Sequence, residues 1–253
     1  MTNYLFQTKM NFKRIVLRNK AFFFFDMLLP IIFYLLYTKI LTTGIPTKAL
    51  AAWNEDYLIS MMIYSCMLGG VITTSNTLLD DQTSHFKLFV SLKPISKFQY
   101  YSSMALVFIF LNLISSILIC LVGIFVNHVN LSMHLLVTLI GINILGTIPL
   151  ILIGALIALV KKPNTVNLLN NLVVFPLAII SGLWWPIQVM PNWLQKIGKT
   201  TPTYQLSNLE QTLLHKGFIN WYAIINISIW LVVIALLFLI LSKVQKQKGI
   251  VSE

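Results

Sequence analysis

Long apolar runs separated by short polar and basic segments dominate this chain of 253 residues. A helix needs about 20 mostly apolar residues to cross a hydrocarbon core about 30 Å thick. The runs are continuous and do not alternate apolar with polar residues, which favours helices over barrel strands. The pattern predicts an all-α membrane protein with six transmembrane helices, at about residues 21–41, 58–79, 104–126, 135–160, 166–185 and 222–241.

The count of six depends most on the region between Lys97 and Lys161. This region contains no Asp, Glu, Lys or Arg. As a helix rising about 1.5 Å per residue it would be longer than two bilayer cores, so it is predicted to cross twice. A polar break at residues 127–130 is the predicted turn between the third and fourth spans.

The basic residues predict which side of the membrane each end occupies. Of the 18 Lys and Arg, 13 precede the first span, follow the last, or lie between spans two and three or four and five. Because cytoplasmic loops carry the excess of Lys and Arg, both termini are predicted to be cytoplasmic. Residues 1–20 are then either an interfacial amphipathic helix or a basic flank that only fixes the topology, and residues 242–253 are a cytoplasmic tail.

Composition agrees with a lipid environment. Only 10% of the residues are charged, whereas a soluble domain has about 25%. The net charge of +11 lies at the ends of the apolar runs and forms no basic stripe of the kind that binds nucleic acid.

Two segments between spans are long enough for a role of their own. The predicted cytoplasmic segment 80–101 begins polar, becomes amphipathic and stops at Pro94. It is either a solvated connector or a helix that docks an apolar face on a cytoplasmic partner. The predicted external segment 186–221 follows a cluster of tryptophans typical of a membrane interface.

Side chains that could perform catalysis are scarce. The four histidines lack metal-ligand spacing, and Gly198-Lys199-Thr200 is not a phosphate-binding loop because Trp193 stands where that motif needs its first glycine. Asp26 is the one acid inside a predicted span, either functional or close enough to the interface to reach Lys20. A single such acid argues against an ion-coupled carrier.

Asparagines open the fifth predicted span. Asn164, Asn167 and Asn171 share one helical face, where amides could bond across a helix interface or simply lie at headgroup level. With Asp26 they are the candidates for a pathway or a subunit interface.

Three stretches resemble the ABC-2 type transporter permeases, six-span subunits of ATP-binding-cassette exporters. Lys93–Phe98 is similar to the Pro-x-Ser-basic pattern that follows the coupling helix of this family. The region from Phe175 to Tyr204 repeats its Ser-Gly-aromatic-Pro, Pro-x-Trp-Leu and Pro-x-Tyr succession, and the Phe-rich first span with Pro30 looks like its opening.

The resemblance implies a non-catalytic permease subunit that pairs with a second permease subunit, as a homodimer or heterodimer, in the cell membrane. It binds no cofactor itself, and ATP and magnesium belong to a partner ATPase. The substrate would be an amphipathic or hydrophobic drug, peptide or lipid-like molecule moved outward. The residues that would contact the ATPase are Phe86, Leu88, Phe89, Val90, Leu92 and Pro94.

Two other classes of function stay open at this point. The chain could be a membrane sensor or immunity protein that binds a toxic peptide without transporting it, since a permease fold does not require transport. An ion-coupled secondary carrier is the third class, disfavoured by the single acid and by the lack of a detectable internal repeat.

Overall fold

A computed structural model describes residues 2–17, 23–84 and 96–247, and the regular structure in these ranges is entirely helical. The all-α expectation is therefore confirmed for the described part of the chain. Short 3₁₀ turns precede the third and seventh helices. The helices in chain order are α1 (Thr2–Phe12, with a π-helical turn at Lys13–Leu17), α2 (residues 23–40), α3 (residues 50–83), α4 (Lys97–Asn127), α5 (Met133–Ala158), α6 (Pro163–Ile180), α7 (Asn192–Thr200), α8 (Pro202–Lys216) and α9 (Trp221–Gln247).

Five of the described helices are long and apolar enough to cross a membrane, namely α3, α4, α5, α6 and α9. They fall on the second to sixth predicted spans. The first predicted span falls on α2, which is not one of the five. The count of six spans and the cytoplasmic position of the termini therefore stay predictions.

Helix α3 starts earlier than the span predicted at residues 58–79. Its α-helical part begins at Leu50, so Glu55 and Asp56 lie within the helix. They meet His215 of α8, whose Nε2 is 2.8 Å from Asp56 Oδ1 and whose Nδ1 is 3.7 Å from Glu55 Oε2. The length of the apolar run underestimated the length of this helix. The run stops before Glu55 and Asp56, whereas the helix includes these acids because His215, far away in sequence, pairs with them.

Helices α3 and α9 are the most and the least buried of the five long apolar helices. The most hydrophobic window of the region Thr47–Thr83, which contains α3, has a mean hydropathy of 1.5 and is 94% buried. The corresponding window of α9 has a mean hydropathy of 3.0 and is 6% buried. In a bilayer the lipid is as apolar as Leu, so the most apolar helix, α9, can lie at the periphery without cost. Hydropathy alone does not decide burial, because the window of α6 has a mean hydropathy of 1.3 and is only 22% buried.

Glycines allow α3 and α5 to cross at close range. A Cβ on Gly154 would lie 2.6 Å from the carbonyl oxygen of Gly70 and 2.7 Å from that of Val71. A Cβ on Gly70 would lie 2.7 Å from Leu150 Cβ. Close approach of backbones through small residues is a common way to hold membrane helices together.

Helix α8 stands among the spanning helices within the segment predicted to be external. Leu206 packs its methyl groups where a Cβ on Gly146 of α5 would be, and Thr203, near the start of α8, shares a cleft with Pro149. Thus α8 and α5 are antiparallel. The indole nitrogen of Trp230, well inside α9, donates to the carbonyl of Thr200 at 2.7 Å, which places the start of α8 about 14 Å along α9 from Trp221.

A larger side chain at Gly154 is expected to weaken the bundle, because it must push the backbone of α3 away. We expect Gly154→Leu to lower the free energy of unfolding by about 1–3 kcal/mol, measured by thermal unfolding in detergent. Gly141→Leu on the same helix is the matched control, since no atom lies within 4 Å of its would-be Cβ. Equal stability of the two variants would contradict the close crossing.

Candidate functional site

An ion pair joins the N-terminal helix to the end of α3. The Arg14 guanidinium donates two hydrogen bonds to the Asp81 carboxylate, one from each terminal nitrogen, and the Tyr100 hydroxyl donates to the same carboxylate. Beside them, Asn11 Nδ2 donates to Ser103 Oγ at 2.8 Å. These five residues are called the N-terminal clamp below. A bidentate Arg–carboxylate pair fixes both distance and orientation.

The clamp follows from how its three helices begin and end. Helix α1 and its π-helical turn lie along the first turns of α4, which places Arg14 opposite Tyr100. Helix α4 begins with a capping box in which Ser96 Oγ accepts from the Gln99 amide and the Gln99 side chain accepts from Ser96 N. Helix α3 ends at Thr83. Residues 84 and 96 lie within the predicted coupling segment 80–101, at the two sides of the part that the structure does not describe, and each is a few residues from the clamp.

The predicted ATPase-contacting residues fall between those two ends. They lie outside the described residues, so their contribution stays a prediction: Phe86, Leu88, Phe89, Val90, Leu92 and Pro94.

Asp26 lies inside the bundle, where α2 meets α3 and α4. It is 3% exposed, and its Oδ2 accepts from Thr73 Oγ1 at 2.5 Å. Its backbone carbonyl accepts from Ser65 and Ser115, at 2.7 Å and 3.1 Å. Neighbouring helices thus surround and bond Asp26, and Lys20 lies outside the described residues, so the role of Asp26 stays a prediction.

The asparagines of α6 divide between two faces. Asn164, Asn167 and Asn171 are exposed, whereas Asn170 is 2% exposed and its Oδ1 accepts from Ser75 Oγ at 2.8 Å. The amide that ties α6 to α3 is thus the one that the sequence reasoning left out of its candidate set. The three candidates share a face that no other part of the described chain covers.

Sequence reasoning also missed a buried acid on α8. Glu210 is 0% exposed, and neither carboxyl oxygen has a hydrogen-bond partner among the described residues. Burial raises the pKa of this carboxyl well above its ordinary value. Its position in a segment predicted to be external gave no signal of burial; only the run of small and polar residues around it distinguishes it from a surface glutamate.

Metal-binding chemistry is not evident in the described ranges. Residues 2–17, 23–84 and 96–247 contain no group of three His, Cys, Asp or Glu side chains that could hold a metal ion. Cys66 and Cys120 are both free and buried.

The sequence model of the ABC-2 family transporter proteins matches residues 38–243, most of the chain. The chain belongs to the ABC-2 transporter family. It is also 31% identical, over 234 residues, to "Putative transport permease YvfS" of Bacillus subtilis (strain 168), covering 92% of this chain and 93% of that protein. No solved structure shows a significant match.

Family membership makes this chain a transport permease, a multi-pass protein of the cell membrane. The resemblance seen in the sequence is thereby confirmed. The family match begins within α2, so the clamp draws Asn11 and Arg14 from outside the matched region and its other three members from inside it.

Breaking the clamp is expected to destabilise the permease, because Asp81 would keep a buried charge without its partner. We expect Arg14→Ala to cost about 1.5–3 kcal/mol in thermal unfolding, and Lys13→Ala, at an exposed neighbouring position, to cost much less. In a double-mutant cycle with Asp81→Ala, the two losses should not add. Additive losses would show that the pair makes no specific contribution.

Proposed function

We propose that this permease is the membrane subunit of an ATP-driven exporter, which moves an amphipathic or hydrophobic molecule outward across the cell membrane. ATP and magnesium would bind to a separate cytoplasmic ATPase, and two permease subunits would form the pathway. The observation that carries the proposal is the clamp, together with family membership. It anchors both ends of the segment best placed to meet such an ATPase.

The clamp suits a mechanical role. A segment that transmits motion from a motor must be fixed at its ends, since a loose connector absorbs a displacement. Here Asp81 is three residues from Ser84 and Tyr100 four from Ser96, and Arg14 and Tyr100 both hold Asp81. Motion of segment 85–95 would reach α1, α3 and α4 together.

The described buried acids fit this proposal better than an ion-coupled carrier. Carriers place several ionisable groups around one midplane site. Here Asp81 is held at one end of α3, Asp26 is bonded by Thr73, and Glu210 lies apart on α8. Energy from a partner ATPase therefore remains the proposed source.

We place the second permease subunit against the exposed face of α6. That face combines Asn164, Asn167 and Asn171 with Leu168 and Leu172, each leucine 58% exposed. Lipid tails offer amides no hydrogen-bond partner, whereas another helix does. From residue 229 to residue 241, by contrast, the exposed side chains of α9 are all apolar and suit lipid.

The proposal as a whole is tested in inside-out membrane vesicles. Cells that make the permease and its ATPase should yield vesicles that accumulate amphipathic drugs or peptides only when ATP is present. Accumulation driven by an ion gradient without ATP would favour a carrier. Protection of cells from a toxic peptide with an inactive ATPase would favour a sensor or immunity protein.

A charge in the coupling segment is expected to weaken docking of the ATPase. Phe89→Asp puts a carboxylate into an apolar contact, so the amount of ATPase that copurifies should fall about tenfold or more. Ser91→Asp adds the same charge at a polar position and should have a smaller effect. If Phe89→Asp copurified as much ATPase as the unmodified permease, Phe89 would not belong to the contact.

The subunit arrangement can be tested by disulfide formation. Asn171→Cys should form a cross-linked dimer under mild oxidation in membranes, because the same face of two subunits would meet. Val233→Cys on α9, 42% exposed in the structure, is the matched control and should stay monomeric. Equal cross-linking at Asn171→Cys and Val233→Cys would contradict the interface. So would the absence of cross-linking at Asn171→Cys, both to a second copy of this permease and to a co-expressed second permease.

A further inference from the structure

We propose that Glu210 is a proton-binding site that keeps α8 docked against α3 and α5, and that loss of this proton releases α8. The proposal goes beyond transport of a cargo and does not depend on it. It concerns the chain alone, so its failure would leave the exporter proposal untouched.

Glu210 is placed deep between helices by the packing around it. Leu206, one turn earlier, fits against Gly146 of α5, and because the two helices are antiparallel Glu210 lies about level with Asn143. Asn143 is 0% exposed and its Nδ2 also lacks a hydrogen-bond partner among the described residues. Its Oδ1 accepts from Cys66 Sγ of α3 at 2.9 Å.

No cation faces Glu210 from the described helices packed on α8. From α3 and α4 the ionisable groups within electrostatic range are the thiols of Cys66 and Cys120. Helix α5 offers Asn143 and Thr147 at this level, and α9 has no charged side chain before Lys243. The two lysines of α7 are exposed, and His215 on α8 itself is paired with Asp56 and Glu55 at the outer end of α3.

A dry, unpaired carboxylate is costly, so the docked helix requires the neutral acid. Once α8 separates and water enters, Glu210 can ionise as an ordinary glutamate does, with a pKa near 4.3. Docking is therefore unaffected by pH below that value. Above it, undocking becomes up to tenfold more favourable per pH unit, until the pH passes the raised pKa of the docked state.

The proposed release of α8 is limited by contacts at its two ends. At one end Trp230 holds the carbonyl of Thr200, and at the other the chain leaves α8 through Gly217, whose φ of 70° favours glycine. Release of α8 would expose Cys66 and Cys120, which are 1% and 2% exposed when it is docked. The native thiols thus report the docked state.

The test measures the reaction of these thiols with a charged, membrane-impermeant methanethiosulfonate in reconstituted permease between pH 6 and 8. The Glu210→Gln variant keeps both cysteines. Dividing the labelling rate of the unmodified permease by that of the variant therefore cancels the direct effect of pH on the ionisation of the thiols. The ratio of unmodified permease to Glu210→Gln should rise with pH over this range, by up to tenfold per pH unit. A flat ratio overturns the proposal.

His215 forms the ion pair of α8 with Asp56 and Glu55, so His215→Gln is the matched control. It should keep the rise with pH that Glu210→Gln loses. If His215→Gln lost the rise and Glu210→Gln kept it, the ion pair at the outer end would be the switch and the proposal would be wrong.

A measurement on the unmodified permease covers the case in which Glu210→Gln does not fold. Hydrogen exchange of the α8 amides, corrected for the intrinsic effect of pH, should accelerate from pH 6 to 8 relative to the amides of α9. Protection of α8 that does not change with pH would equally overturn the proposal.

Discussion

Burial of α3 is the constraint on which the other helices depend. This helix carries hydroxyl groups, two adjacent glycines and a π-helical turn at Leu68–Thr73, none of which lipid can satisfy. Each therefore meets protein: Ser65 and Thr73 bond Asp26 of α2, Ser75 bonds Asn170 of α6, and Gly70 meets α5. Among the neighbours of α3, helices α4 and α5 expose mainly apolar side chains, whereas α6 also exposes asparagines. Helix α9 is the least buried of the long apolar helices that the structure describes.

The same constraint explains the buried polar side chains of α8. A loop outside the bundle would leave uncovered the parts of α3 and α5 that contain Cys66 and Asn143. Helix α8 fills that gap with its own small and polar side chains, and only Leu206 reaches into the hole left by Gly146. A polar helix packed on other polar helices leaves some buried polar groups without hydrogen-bond partners. Among them is the carboxyl of Glu210, which is costly to bury in its charged form.

The apolar runs were enough to predict an all-helical membrane protein, because segment length and charge placement are local properties. Which face of a helix is buried, however, is not a local property of the sequence. Asn164 and Asn170 have the same chemistry, but only Asn170 lies on the face of α6 that packs against α3, where Ser75 bonds it. The pairing of Arg14 with Asp81 spans 67 positions in sequence, and Glu210 stands in a segment that looks external. These contacts arise from helix packing, which periodicity in a single sequence does not specify.

Helix α3 extends from the N-terminal clamp at Asp81 to the contact with α8 near Glu210. Its Asp81 end is fixed by Arg14 and Tyr100, and its other half lies against α8 at the level of Cys66. The π-helical turn between them is a point where an α-helix can change its winding by one residue. Because Asp26 of α2 and Gly154 of α5 meet α3 at that turn, a rotation of the Asp81 end relative to the Cys66 end would disturb both contacts. A permease that transmits motion from one membrane face to the other needs one such continuous element, and α3 is the buried helix that extends from the clamp to α8.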